Sequence, residues 1–361
     1  MKKICFIVPS LGGGGAERVA FHLLNKLPLE QFEISVIIIY KEKGDYLKEL
    51  RKEVECIYLN KSQIRYALLS LYQKINELKP DIVLVFSFDL SIIIGVFLIP
   101  IFKNICFINR QVNMLSKIRF SVIKKILLKI AYKNFDKIIT QSKDMTKDLL
   151  KNINISKEKI VEINNPVDVE KIEKLSNEKM KLEMLQKNKN LLCVGRLEKQ
   201  KGFDLIIKVM KLFSNKNIKL YILGDGKEKI QLEKLIEKYG LSDTVFLLGR
   251  KINPYIYMKN ADLFILSSRY EGFPNVLIEA GACGLYSICN NCLGGVNEII
   301  KENVNGNILD FKNDILVEKI IRENLNKKKD VEKVKRSIFE RYNLEIIIKK
   351  YIEIFNMETK V

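Results

Sequence analysis

Short, unbroken runs of apolar and β-branched residues recur at 4–8, 34–40, 54–59, 82–86, 105–108 and 138–140, separated by segments with helical spacing. A strand with one face in water alternates apolar and polar residues, whereas a strand covered on both faces reads as a continuous apolar run. These runs do not alternate, so they predict a parallel sheet flanked by helices. Between them Ala16, Val19, Ala20, Leu23, Leu24 and Leu27 repeat at helical spacing, as do Leu68, Leu71, Tyr72 and Ile75. The pattern breaks at Asn164, Asn165, Pro166, Val167 and Asp168, and a lysine- and glutamate-rich helix over about 169–187 is expected next. Strand candidates then resume at 191–194, 220–223, 245–248, 263–266 and 286–289. With 361 residues, too many for one ordinary core, the expectation is an α/β protein of two doubly wound, Rossmann-like domains facing across a cleft. The domains are drawn at 1–167 and 168–342, with 343–361 as a C-terminal helix crossing back to the first. In that helix Ile347, Ile348, Tyr351, Ile352 and Phe355 form the apolar side.

Composition excludes several classes and favours an anionic partner. With 47% hydrophobic and 29% charged residues, 18 Gly and 7 Pro, the chain is neither disordered nor collagen-like. Its 62 basic and 43 acidic residues leave a formal charge of +19, which suits nucleotide, phosphate, nucleic acid or an acidic membrane. Seven cysteines in apolar runs follow no disulfide framework and read as reduced core thiols of a cytosolic protein. Cys289 and Cys292 form a C-x-x-C, but one histidine, His22, cannot complete a zinc site. Residues 1–9 read as a strand, since their apolar run is too short for a signal-peptide core. Residues 82–102 have the length of a membrane span, yet Asp89 sits mid-run, so a buried strand and then a buried helix are expected instead.

Three segments carry residues suited to chemistry. The first strand runs into Gly12, Gly13, Gly14 and Gly15 ahead of Ala16, Glu17 and Arg18, placing a glycine loop at a helix N-terminus where N–H groups can meet an anion or a sugar. A tight turn explains the same glycines, while the spacing does not form G-x-G-x-x-G. In the second half, Gly195-Arg196-Leu197 follows a strand, with Lys201-Gly202 in the same loop. A guanidinium and an ammonium past one strand tip can close on a diphosphate, or stay solvated in a basic protein. Farther on, Glu271-Gly272-Phe273-Pro274-Asn275-Val276-Leu277 leads into a helix that carries Glu279. Pro274 suits a first helical turn, which would aim the N–H groups of Asn275, Val276 and Leu277 at a phosphate or sugar oxygen. Glu271 and Glu279 can bind different hydroxyls of one extended ligand; singly they read as surface or capping residues.

Taken together, these segments resemble the retaining glycosyltransferases of family 4, which share the two-domain GT-B architecture. The resemblance rests on Gly195-Arg196-Leu197 with Lys201-Gly202, the E-x7-E from Glu271 to Glu279, Gly224-Asp225-Gly226 and the Gly14 to Arg18 run, and it spans nearly the whole chain. It implies that Arg196 and Lys201 neutralise the donor diphosphate, that Glu279 holds the ribose and that Glu271 binds the donor sugar. By the same likeness, N–H groups from Phe273 to Leu277 hold sugar and phosphate oxygens, and Leu248-Gly249-Arg250 seats the nucleobase. Retention would proceed by same-face substitution through an oxocarbenium-like transition state, without a protein nucleophile. No D-x-D triplet occurs, consistent with a metal-free enzyme that has a UDP-sugar as co-substrate and no cofactor. One departure is that Asn109-Arg110-Gln111 stands where members often carry a histidine; Arg110 is a candidate for phosphate or sugar contact, and Gly13, Gly14 and Gly15 border the acceptor side.

The segment 103–137 holds nine basic residues and one acidic residue. Within it Ile118, Val122, Ile126 and Ile130 form one ridge and Lys117, Lys125, Lys129 and Lys133 the next, with Lys124 also on the basic side. Such a helix suits an anionic membrane surface, and equally a helix packed on the sheet with a solvated lysine face. Nucleic acid is not expected, because no recognition module or stacking platform accompanies the charge. The resemblance further implies a bacterial enzyme, cytoplasmic and peripheral on the inner membrane, that transfers a hexose or N-acetylhexosamine, N-acetylgalactosamine favoured, to a polyprenyl-diphosphate-linked saccharide. The competing readings are a nicotinamide-dinucleotide protein, for which Glu42 is the available acid after the second strand, and a non-catalytic membrane scaffold.

Overall fold

The computed structural model describes residues 1–12, 14–41, 45–180, 182–184, 187–213 and 217–357, so Gly13 and Glu42 lie outside the described residues. The chain divides into two compact units, Met1–Pro166 with Leu344–Val361, and Val167–Asn343. In the first unit the strands are β1 (Lys2–Val8), β2 (Phe32–Ile38), β3 (Glu55–Tyr58), β4 (Ile82–Val85), β5 (Cys106–Arg110), β6 (Lys137–Thr140) and β7 (Ile160–Glu162). Its helices are α1 (Gly15–Lys26), α2 (Leu68–Leu78), α3 (Phe88–Ile93), α4 (Val122–Asn134) and α5 (Lys143–Asn152). All strands are parallel, in the order β3-β2-β1-β4-β5-β6-β7.

The unbroken apolar runs have the cause expected of them. Ile4, Phe6 and Val8 enter the core on one face of the sheet, and Cys5 and Ile7 the core on the other. Residues 82–102 are a strand, the short helix α3 and a π-helical segment, Ile94–Leu98. Among the described residues no helix is long and apolar enough to cross a membrane.

The second unit holds α6 (Val169–Ser176), β8 (Lys189–Val194), α7 (Phe203–Met210), β9 (Ile218–Leu223), α8 (Lys229–Lys238), β10 (Val245–Leu247), α9 (Tyr255–Asn260) and β11 (Leu263–Leu266). It continues with α10 (Asn275–Ala282), β12 (Ser287–Asn290), α11 (Val296–Ile299), β13 (Gly306–Leu309), α12 (Asp314–Leu325) and α13 (Val331–Tyr342). The sheet, again parallel, runs β10-β9-β8-β11-β12-β13. The helix expected over 169–187 is shorter than the charge pattern suggested: α6 ends at Ser176, and exposed Met180 adds nothing to its apolar stripe. Strands β7 and β13 close the edges of their sheets with half-buried residues, which is why no apolar run marked them.

The last helix, α14 (Leu344–Met357), belongs to the first unit. Its Leu344, Ile347, Ile348, Tyr351, Ile354 and Phe355 lie in one core with β1, β2 and β4. The Lys2 ammonium donates to the Phe355 carbonyl at 2.8 Å, tying the final turn of α14 to the first strand.

Candidate active site

In a doubly wound sheet, ligands sit beyond the carboxyl ends of the strands where the strand order reverses. The second unit reverses between β8 and β11, because the chain leaves β8 outward to β9 and β10 and then returns to β11. The loops after these two neighbouring strands are 195–202 and 267–274, the segments that carry Arg196, Lys201 and Glu271.

Close backbone approach sets their shape. Gly224 follows β9 at φ +146°, where a Cβ would stand 1.8 Å from the Gly195 carbonyl oxygen. The Gly224 N–H donates to the Gly249 carbonyl at 2.9 Å, so the tips after β8, β9 and β10 lie side by side. At Gly202 (φ +63°) a Cβ would meet the Ser267 carbonyl oxygen at 2.2 Å. That contact brings the β8 and β11 loops together and carries Lys201 to Glu271, whose Oε1 accepts from Nζ at 2.7 Å. Their side chains are only 15% and 7% exposed. Ser268 Oγ donates to the same Glu271 oxygen at 2.5 Å. A buried ammonium beside a carboxylate with little water around it can meet a ligand anion with the cation and a ligand hydroxyl with the acid.

Other predicted residues are placed differently. Arg196 leaves the same loop but turns to Glu198, at 2.8 Å, and its side chain is 71% exposed. Arg250 is exposed after β10. Glu279 is buried one turn inside α10. Pro274 caps that helix rather than opening it, and the Leu277 N–H bonds to the Pro274 carbonyl at 3.0 Å. Leu277 therefore does not offer its N–H to a ligand here, contrary to the expectation. Phe273 turns its ring inward, at 5.5 Å and 66° to Tyr342, while Gly272, Asn275 and Val276 are half-buried at the helix start.

The first unit reverses between β1 and β4, which puts the glycine loop at its own switch point. Gly14 and Gly15 are exposed there, but the Gly14 N–H donates to Glu17 Oε2 at 2.9 Å, and Ser10 Oγ donates to the other carboxylate oxygen. An internal acid thus occupies the Gly14 donor that was expected to meet a phosphate. Arg110 is also a correction: only 1% exposed, it lies in the interior, where Nε donates to Tyr351 Oη at 3.0 Å, a second nitrogen donates to Asn165 Oδ1, and the guanidinium sits over Phe86 at 5.5 Å. Burial raises the Tyr351 pKa above its usual value, against the opposing pull of that guanidinium. These partners fasten α14 to β5, a structural duty that the sequence did not reveal. His22 is buried in α1.

On α4 the helix starts at Val122, capped by Ser121, so Ile118 and Lys117 fall outside it. Lys124 is not on an open basic face: it pairs with Asp89 at 2.8 Å and lies over the rings of Phe88 and Phe120. Leu128, Ala131 and Tyr132 bury, whereas Val122, Ile123, Ile126 and Ile130 remain exposed beside exposed Lys125, Lys129 and Lys133.

Residues 13–171 match the family described as Glycosyltransferase Family 4, and residues 176–341 match Glycosyl transferases group 1. A Campylobacter jejuni protein, N-acetylgalactosamine-N,N'-diacetylbacillosaminyl-diphospho-undecaprenol 4-alpha-N-acetylgalactosaminyltransferase, is 32% identical over 325 residues, 87% of each chain. The chain belongs to the family 4 glycosyltransferases. Another relative of this glycosyltransferase, the amylovoran biosynthesis glycosyltransferase AmsD of Erwinia amylovora, is 31% identical over 47% of this chain and 49% of its own. Among solved structures, Anabaena Alr3699/HepE in complex with UDP and glucose superposes with a TM-score of 0.80 at 19% identity, covering 99% and 100% of the two chains. A glycosyltransferase from Rickettsia africae reaches 0.81 at 20% identity, covering 99% and 98%. The fold is GT-B.

The sequence reading of this family 4 enzyme missed the residues that lace its two loops together. Arg269 grips Asp204 with two nitrogens, at 2.7 and 2.6 Å, and also donates to the Lys199 carbonyl at 2.8 Å. Asp204 is the main cause that raises the Arg269 pKa above its ordinary value. Gln200 donates to the Tyr270 carbonyl at 3.0 Å, and Ser267 Oγ to the Lys201 carbonyl at 3.0 Å. The available signal was positional: each lies within three residues of Lys201 or four of Glu271. Among the described residues no group of three or more His, Cys, Asp or Glu is arranged to hold a metal ion, and the seven cysteines are free thiols.

Proposed function

We propose that this chain is a retaining glycosyltransferase that moves a hexose or N-acetylhexosamine, N-acetylgalactosamine favoured, from a UDP-sugar to a polyprenyl-diphosphate-linked saccharide. The observation that carries the reading is the buried Lys201–Glu271 pair at the β8/β11 switch point. Lys201 meets the departing diphosphate, joined by Arg196 once it swings from Glu198, and these cations do the work a metal would otherwise do. Glu271 accepts from a donor-sugar hydroxyl, Glu279 holds the ribose, and the loop before α10 holds sugar and phosphate oxygens. Same-face attack by the acceptor hydroxyl lets the leaving phosphate take the proton, so no protein nucleophile is needed. The Campylobacter relative supports the acceptor class by its name, and that name specifies an alpha product. UDP-N-acetylhexosamines carry the diphosphate in the alpha configuration, so an alpha product means retention. The exposed apolar and lysine ridges of α4 support docking on an anionic inner-membrane surface from the cytoplasmic side.

A thermal-shift series tests this. UDP at a hundred times its Kd stabilises by about 2.7 kcal/mol, enough for a shift of several degrees, and NAD gives none. Lys201→Ala removes most of the shift and Arg196→Ala part of it. Transfer from radiolabelled UDP-sugars to extracted membrane lipid then falls at least 100-fold in Glu271→Ala. Stabilisation by NAD instead of UDP, or undiminished transfer in Glu271→Ala, overturns the reading.

A further inference from the structure

We propose that Ser268 is a positioning residue that reserves one carboxylate oxygen of Glu271 for a sugar hydroxyl. The inference rests on the proposed transferase activity. A carboxylate has two oxygens with about four lone-pair sites, and its last torsion is broad, so a single contact leaves it free to rotate. In Glu271 the two recorded side-chain contacts converge on one atom: Lys201 Nζ and Ser268 Oγ both donate to Oε1, at 2.7 and 2.5 Å. Among the described residues no contact is recorded to Oε2. Two donors from different loops, bonded to the same oxygen, stop the carboxylate from turning and leave Oε2 as the acceptor for a hydroxyl. Lys201 alone would not do this, because its ammonium is also claimed by a diphosphate as negative charge develops there.

Ser268 is itself held firmly enough for the task. It is 1% exposed, and its carbonyl accepts from Asn290 Nδ2 at 2.9 Å, while Asn290 Oδ1 accepts from the Phe311 N–H at 3.0 Å. On either side, Ser267 Oγ donates to the Lys201 carbonyl and the Arg269 N–H donates to the Gln200 carbonyl at 2.8 Å. Three consecutive residues thus fasten the β11 loop to the β8 loop and to β12, and the middle one points its hydroxyl at Glu271.

Calorimetric titration separates this role from a merely structural one, using UDP and whichever of UDP-glucose, UDP-galactose, UDP-N-acetylglucosamine and UDP-N-acetylgalactosamine binds the wild type most tightly. Ser268→Ala keeps UDP affinity within about twofold and loses about tenfold for the UDP-sugar, as expected when a hydrogen bond to a charged group is removed. Ser268→Thr, which keeps the hydroxyl, restores UDP-sugar affinity to within about threefold. Equal weakening of UDP and UDP-sugar, or unchanged UDP-sugar binding in Ser268→Ala, overturns the proposal. Should Ser268→Ala fail to fold, Ser268→Cys, a near isostere with a weak donor, decides by the same comparison. A wild type that binds neither ligand overturns the transferase reading itself, a result distinct from either.

Discussion

Gly202 shows how one residue without a side chain can place a charge. It combines a left-handed backbone (φ +63°) with a carbonyl that a Cβ would meet at 2.2 Å, whereas Gly240 has a similar φ, +64°, and nothing within 4 Å. Alanine at 240 should cost about 1 kcal/mol, the left-handed penalty alone. Alanine at 202 should cost roughly 2–4 kcal/mol, because the Ser267 carbonyl must also move, and it should lower sugar transfer by displacing Lys201. Scanning calorimetry of the two variants checks this, and equal melting shifts would show that the contact carries no weight. At this scale the sequence revealed which residues bear charge but not what they face. Lys201 and Glu271 were legible because both follow strand tips. Arg110 was not: a buried arginine between Tyr351 and Asn165 is set by partners 241 and 55 positions away.

Among the elements, the central strands were the plainest in the sequence, since burial on both faces leaves unbroken apolar runs at 4–8 in β1, at 191–194 in β8 and throughout β4 and β11. Edge strands β7 and β13 bury partially and leave a mixed pattern, and α6 stops where its apolar stripe stops although the lysines continue. In α4, spacing alone left two readings open, and exposure now separates its faces: Leu128, Ala131 and Tyr132 pack inward, and the Val122, Ile126, Ile130 ridge does not. If that ridge meets lipid, Val122→Ser with Ile126→Ser should weaken binding to phosphatidylglycerol vesicles at every salt concentration without lowering the melting temperature. Replacing Lys125, Lys129 and Lys133 by Gln should weaken binding about 100-fold at low salt, at about 1 kcal/mol per cation, and flatten its salt dependence. Vesicle sedimentation reads both, and equal binding of wild type to neutral and anionic vesicles would count against the docking face.

Across the whole molecule, the first unit is built from both ends of the chain. Six side chains of α14 enter its core, and each large apolar side chain fully buried is worth about 1.5–3 kcal/mol, so their sum rivals the 5–15 kcal/mol by which a domain is stable. A stop after Asn343 should therefore abolish the melting transition of the first unit and leave that of Val167–Asn343, which two-transition calorimetry can resolve. The apolar stripe of α14 was readable in the sequence, while its anchoring through Tyr351 and Lys2 depends on groups that meet only in three dimensions. Because α14 is synthesised after all of Val167–Asn343, the sheet face that it shares with α1 stays incomplete until that whole unit has been translated. The contiguous second unit can settle in that interval, ahead of the strands that were made before it.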